Sequence, residues 1–132
     1  MKRYLPHLIL LAGVSALMLN SSPAQSKVEK PEKLLRHVVL FKFKESATQG
    51  QIDAVVKGFG ELPQKIDAIH DYEWGTNNSP EDHAMGYTHC FLVTFKSEAA
   101  RDAYLPHPAH QAFVKVLLPI LEEVHVVDYW AQ

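Results

Sequence analysis

The sequence predicts an α+β domain of element order β-α-β-β-α-β, in which one antiparallel sheet carries both helices on one face. Three observations carry that expectation. Four β-branched and aromatic stretches alternate with period two. Two intervening stretches place apolar residues at helical spacing behind capping signals. A chain of 132 residues, 47% apolar and 21% charged, has room for one such domain and one core.

The first strand is read over Arg36 to Glu45 (RHVVLFKFKE), with His37, Val39, Phe41 and Phe43 on one face and Val38, Leu40, Lys42 and Lys44 on the other. Thr48 followed by Gln51 is a capping box. Behind it Ile52, Val55, Val56, Phe59 and Leu62 predict a helix from Gln49 to Leu62, weakened by Gly58 and Gly60 and closed by Pro63. Ile69 to Gly75 alternates His70, Tyr72 and Trp74 as a second strand, before the turn formers of TNNSPED. Gly86 to Ser97 (GYTHCFLVTFKS) is the strongest strand pattern, with Tyr87, His89, Phe91, Val93 and Phe95 on one side. Ser97 caps a short helical stretch through Tyr104, and Pro108 suits the first turn of a longer helix. Phe113, Val116, Leu117 and Ile120 form that helix's apolar stripe, and Pro119 kinks or ends it. Glu123 to Ala131 (EVHVVDYWA) closes the order as a last strand, giving the ferredoxin-like arrangement.

Helices can cover only one side of such a sheet, yet Val38, Leu40, Cys90, Leu92, Val124 and Val126 are read as pointing away from them. An apolar face of that size is more than soluble monomers usually expose. A homodimer joined sheet to sheet is the expected solution, and the chain's own tether or last strand folded over the face is the alternative.

Residues 1 to 24 read as a cleaved secretory signal, from the positive Lys2 and Arg3, the uncharged apolar run Leu8 to Leu19, and the small residues ending at Ala24. Twelve residues are too few to span a bilayer, which takes roughly 20. The mature chain is therefore expected to be periplasmic or secreted, without stable membrane insertion. Gln25 to Leu35 reads as a polar linker, which leaves 36 to 132 as the domain. Loss of Lys2 and Arg3 leaves 11 of the 13 basic residues against 15 acidic ones, a net charge of −4 with histidine neutral. Such a surface excludes nucleic acid as a natural partner. Cys90 is the only cysteine, so packing alone holds the domain, and the thiol reads as a small, inert, buried hydrophobe.

The chemistry concentrates in histidine and tyrosine. His37 and His89 share the helix-facing side with Val39, Phe41 and Phe91, while AYLPHPAHQAF supplies Tyr104, His107 and His110 where the second helical segment begins. Five polar rings are thus expected at one end of an apolar space, which is how small-molecule sites are commonly built. Each alone has a plain structural role, His107 as a helix cap above all, and His70, His83 and His125 are read as surface residues. Neither a metal nor another cofactor is expected: a stable site needs three or four ligands, and no HExxH, CxxC or acidic cluster accompanies the histidines. A nucleophile elbow and a glycine-rich phosphate loop are also missing from the sequence. Acid–base work remains, with neutral histidine as base and a tyrosine hydroxyl as donor to a developing oxyanion.

RHVVLFKFK, GYTHCFLVTFKS, RDAYLPHPAHQAFV and VVDYW, in that order and spacing, resemble the stress-responsive A/B barrel (Dabb) domain family. The resemblance spans nearly all of Arg36 to Trp130 and is most specific in the HPAH segment. It implies ferredoxin-like chains that pair as dimeric α+β barrels. In polyketide-cyclising members the base is the second histidine of that segment, here His110, and the catalytic tyrosine is Tyr104, with His37, His89 and His107 as the further polar lining. Two functions follow as expectations: a lyase or cyclase acting on a small apolar carbonyl compound, or a binding or stress-protective barrel without turnover.

Overall fold

The computed structural model describes residues 33 to 132. Its elements run β1 (Leu35–Phe43), α1 (Gln49–Gly60), α2 (Leu62–Lys65), β2 (Asp71–Thr76), β3 (His89–Phe95), α3 (Glu98–Tyr104), α4 (Pro108–Leu117) and β4 (Leu121–Trp130). The four strands form one antiparallel sheet in the order β2-β3-β1-β4. This is the ferredoxin-like fold the sequence predicts, with a sheet that stays open within one chain. The signal and most of the linker expected from the sequence lie outside the described residues.

Capping decides where the helices start. Thr48 accepts from the Gln51 backbone N–H while the Gln51 side chain accepts from that of Thr48, so α1 opens on a complete capping box. Ser97 caps α3 through the Ala100 N–H. His107 caps α4, its Nδ1 accepting from the Ala109 N–H at 3.1 Å, with Pro108 in the first turn. Pro63 does not close α1 as the sequence suggested. The helix ends two residues earlier, and Pro63 sits in the first turn of α2, where its missing N–H costs nothing. Leu35, assigned to the linker, is buried and opens β1.

The core lies between the sheet and the helices, where Val39, Phe41, Phe91, Val93 and Phe95 meet Val55, Phe59, Leu62, Phe113 and Leu117. Phe59 is its hinge point, stacked on Phe91 at 4.6 Å and 4.7 Å from Phe113 between ring centroids. Phe113 of α4 lies against Gly58 of α1, where a Cβ would meet its ring at an ordinary contact distance of 3.5 Å. Val116, assigned to the stripe of α4, is 55% exposed and lies at the open rim of this seam, beside Gly58, Leu62 and Phe113.

The register corrects the composition of the uncovered face. Val38, Leu40, Cys90 and Leu92 occupy it as expected, but Val124 pairs with Phe41 and Val126 with Val39, so both point to the helix side. His125, Val127 and Tyr129 hold the β4 positions of the uncovered face instead. Both parities of β4 are apolar, and a one-residue change of register inverts every side chain, so alternation could not decide. Val124 and Val126 are still 48% exposed on this edge strand, which α3 meets further along, at Asp128. The segment between β2 and β3 folds over the other end of the uncovered face. It encloses a cavity of about 690 Å³ lined by Leu40, Trp74, Tyr87, Cys90, Leu92 and His125. Cys90 is therefore half-buried rather than a core residue.

Candidate active site

One row of residues across the sheet organises the site. Tyr72 on β2 faces Val93 on β3, Val93 faces His37 on β1, and His37 faces Asp128 on β4. Directly opposed residues share a face, so all four point toward the helices. On β1 in this row, His37 is only 6% exposed, and its Nδ1 donates to Asp128 Oδ1 at 2.6 Å. The second oxygen of Asp128 accepts from Arg101 Nη1 of α3 at 3.0 Å. Asp128 thereby fixes the ring of His37 and leaves Nε2 as its outward nitrogen.

The helices bring the other groups onto this row. Tyr104 ends α3 at 1% exposure, edge-on to His37 at 5.9 Å and against Phe95 at 5.2 Å between centroids. His110, in the first turn of α4, lies over it with only 4.3 Å between centroids. The Leu105 carbonyl, one residue past α3, accepts from His110 Nδ1 at 2.9 Å. That bond assigns the proton to Nδ1 and leaves Nε2 with a free lone pair. Burial lowers the pKa of His110, the Leu105 carbonyl opposes it, and nearby charge on His37 or His107 would lower it further. The ring is accordingly neutral at neutral pH, as a base must be. Burial pushes the Tyr104 hydroxyl well above its usual value, so it stays protonated and donates.

The eight residues singled out from sequence divide by position. His37, Tyr104 and His110 come together. His107 stands beside them, but its Nδ1 is engaged in capping α4, the plainer of its two expected roles. Val39, Phe41 and Phe91 are packed core residues, and neither described cavity is lined by them or by the His37, Tyr104 and His110 cluster. His89 does not join the cluster. It faces Phe41, four residues along β1 from His37 and about 13 Å away. There it packs against Phe43 at 5.2 Å and Trp74 at 6.2 Å between centroids. Sequence parity gave its face correctly but not its end of the sheet. Asp128, Arg101 and Tyr72 were missed, because only the pairing register brings distant strand residues into one row.

A family model described as the stress responsive A/B barrel domain matches residues 35–131. The chain belongs to the Dabb family. The stress-response A/B barrel protein HS1 of Arabidopsis thaliana is 35% identical over 102 residues, 77% of this chain and 94% of that protein. Olivetolic acid cyclase of Cannabis sativa is 33% identical over 95 residues, 72% of this chain and 94% of the cyclase. Among solved structures, the hydroxynitrile lyase from Passiflora edulis superposes with a TM-score of 0.72 at 31% identity, over 77% of this chain and 96% of that one. A dimeric ferredoxin-like protein of unknown function from Bacteroides fragilis gives 0.61 at 28% identity, over 74% and 96%. This Dabb chain thus keeps a fold whose solved relatives include dimers, which supports self-association. Its relatives also include a cyclase and a lyase.

Proposed function

We propose that the protein is an exported homodimer, joined through the uncovered sheet face, whose His/Tyr cluster performs lyase- or cyclase-type acid–base chemistry on a small carbonyl compound. The observation that carries this reading is the contact of Tyr104 with His110, 4.3 Å between ring centroids, with His110 Nε2 left free by the Leu105 carbonyl. His110 Nε2 removes a proton from the carbon beside the carbonyl. The C–H electron pair moves into an enolate, whose oxygen accepts from the Tyr104 hydroxyl. Attack of the enolate carbon on a second carbonyl of the same molecule closes a ring, the electron pair of that C=O moves onto its oxygen, and the alkoxide takes back the proton held on His110; the same steps in reverse break such a bond. His37, held by Asp128, presents a second imidazole to the same oxygen, and the aromatic core supplies apolar walls. His107 contributes through the start of α4, which it caps. Export rests on the amino-terminal charge and apolar run, and the dimer on the uncovered apolar face together with the dimeric relatives.

A second reading, a stress-protective or small-molecule-binding barrel without turnover, is favoured by one observation: neither described cavity reaches the cluster, and Tyr104 packs as a core residue. Native mass spectrometry of the protein from its source separates the two. A dimer carrying a small organic mass that a Tyr104→Phe/His110→Ala variant loses supports the site. An empty dimer in both forms favours the barrel alone, and a monomer overturns the sheet-to-sheet pairing.

A further inference from the structure

The hydroxyl of Tyr72 is shielded from solvent and meets no hydrogen-bonding partner among the described residues, the only buried side-chain group of which that is true there. A hydroxyl left in that condition lowers stability, and a phenylalanine would fill the same space without the penalty. Its position says what the hydroxyl serves. Tyr72 and His37 flank Val93 on either side, so their backbones are two strand spacings apart, about 10 Å. Both point to the helix face, where Tyr104 and His110 come down. The Tyr72 ring leans on Phe59 at 5.4 Å between centroids, within the aromatic core and level with the site. Charge on Tyr72 would raise the Tyr104 pKa further, so the two phenols lie within electrostatic reach of each other.

We infer that Tyr72 is a specificity-determining residue of the same site, its hydroxyl bonding a second oxygen at the end of the ligand remote from the reacting carbonyl. The inference rests on the proposed function and narrows its substrate class. The ligand is a carbonyl compound bearing a hydroxyl or second carbonyl across an apolar, preferably aromatic, body, with one oxygen at the His37, Tyr104 and His110 end and the other at Tyr72. A site that leaves a buried donor unpaired discriminates strongly against a ligand lacking the complementary group.

The test uses the full-length protein and two matched probes, acetophenone and 4-hydroxyacetophenone, with affinities from NMR titration of wild type, Tyr72→Phe and Tyr104→Phe. Wild type should bind the hydroxylated ketone about tenfold or more tighter. Tyr72→Phe should bring that ratio close to one while leaving acetophenone affinity unchanged, and Tyr104→Phe should weaken both probes alike. The ligand-free Tyr72→Phe protein should also melt a few degrees higher than wild type, since it no longer buries an unpaired hydroxyl. A preference for the hydroxylated probe that survives in Tyr72→Phe, or is absent in wild type, overturns the inference while the Tyr104→Phe losses keep the site itself intact. Failure of both ketones to bind, or binding indifferent to Tyr104→Phe, overturns the site reading and this inference with it.

Discussion

In the proposed function, His110 serves as a base through its neighbours rather than through its own chemistry. The Leu105 carbonyl holds Nδ1–H, and burial disfavours the imidazolium, so Nε2 carries a lone pair at neutral pH. Above about pH 6.5 the ring is neutral in both folded and unfolded chains. Below it the unfolded chain takes up the proton before the folded one does, so acid costs stability and removes the base. The His110 resonance should titrate below 6.5 by NMR, and any turnover should fall on the acid side of neutrality with the same midpoint. Asp128 acts one step back. Asp128→Ala leaves His37 Nδ1–H and one arm of Arg101 unpaired, and should cost about 1–3 kcal/mol in urea unfolding. His37, Tyr104 and His110 were legible in the sequence because a strand parity and one short segment name them. Tyr72 and Asp128 were not, since a residue on each edge strand enters the site only through pairing that no local pattern specifies.

At the scale of elements, caps and seams decide the geometry. Tyr104 meets His110 because α3 ends and α4 starts within four residues, and His107 fixes the second start through its Ala109 bond. His107→Ala should cost about 1 kcal/mol as a lost cap and also weaken ligand affinity by displacing His110, measured by thermal melting and NMR titration together. Thr48→Ala removes an equivalent cap at α1, remote from the cluster, so it should cost about 1 kcal/mol in melting with affinity unchanged. The capping signals of α1, α3 and α4 could be read directly from Thr48, Ser97 and Pro108. The parity of β4 could not, because Val124 and Val126 alternate as well as Val127 and Tyr129, and an edge strand offers no buried side to break the tie. The break after Gly60 was hidden for a similar reason: Pro63 fits the start of one helix as readily as the end of another.

For the whole molecule, the open sheet is the unresolved surface of a single chain. Val127 is exposed, Val38 half-buried beside it, and Leu40 and Leu92 border the cavity at the other end of this face, and a dimer pairing these faces would close it. Val127→Glu puts two like charges into such an interface and should shift sedimentation from dimer to monomer, whereas Val116→Glu, exposed in the helix layer beside α1, should leave the dimer unchanged. The His37, Tyr104 and His110 cluster belongs to the opposite face, so the proposed chemistry and the proposed association would use separate sides of one sheet. Deuterium exchange reads out directly whether His110 removes a proton beside a carbonyl. 4-Hydroxyacetophenone is incubated in D₂O with wild type and with His110→Ala, and loss of the methyl proton signal is followed by NMR. With wild type, exchange at the methyl carbon should run well above the uncatalysed rate, and His110→Ala should reduce it at least about a hundredfold. Equal exchange rates for the folded variant and the wild type would contradict that role of His110.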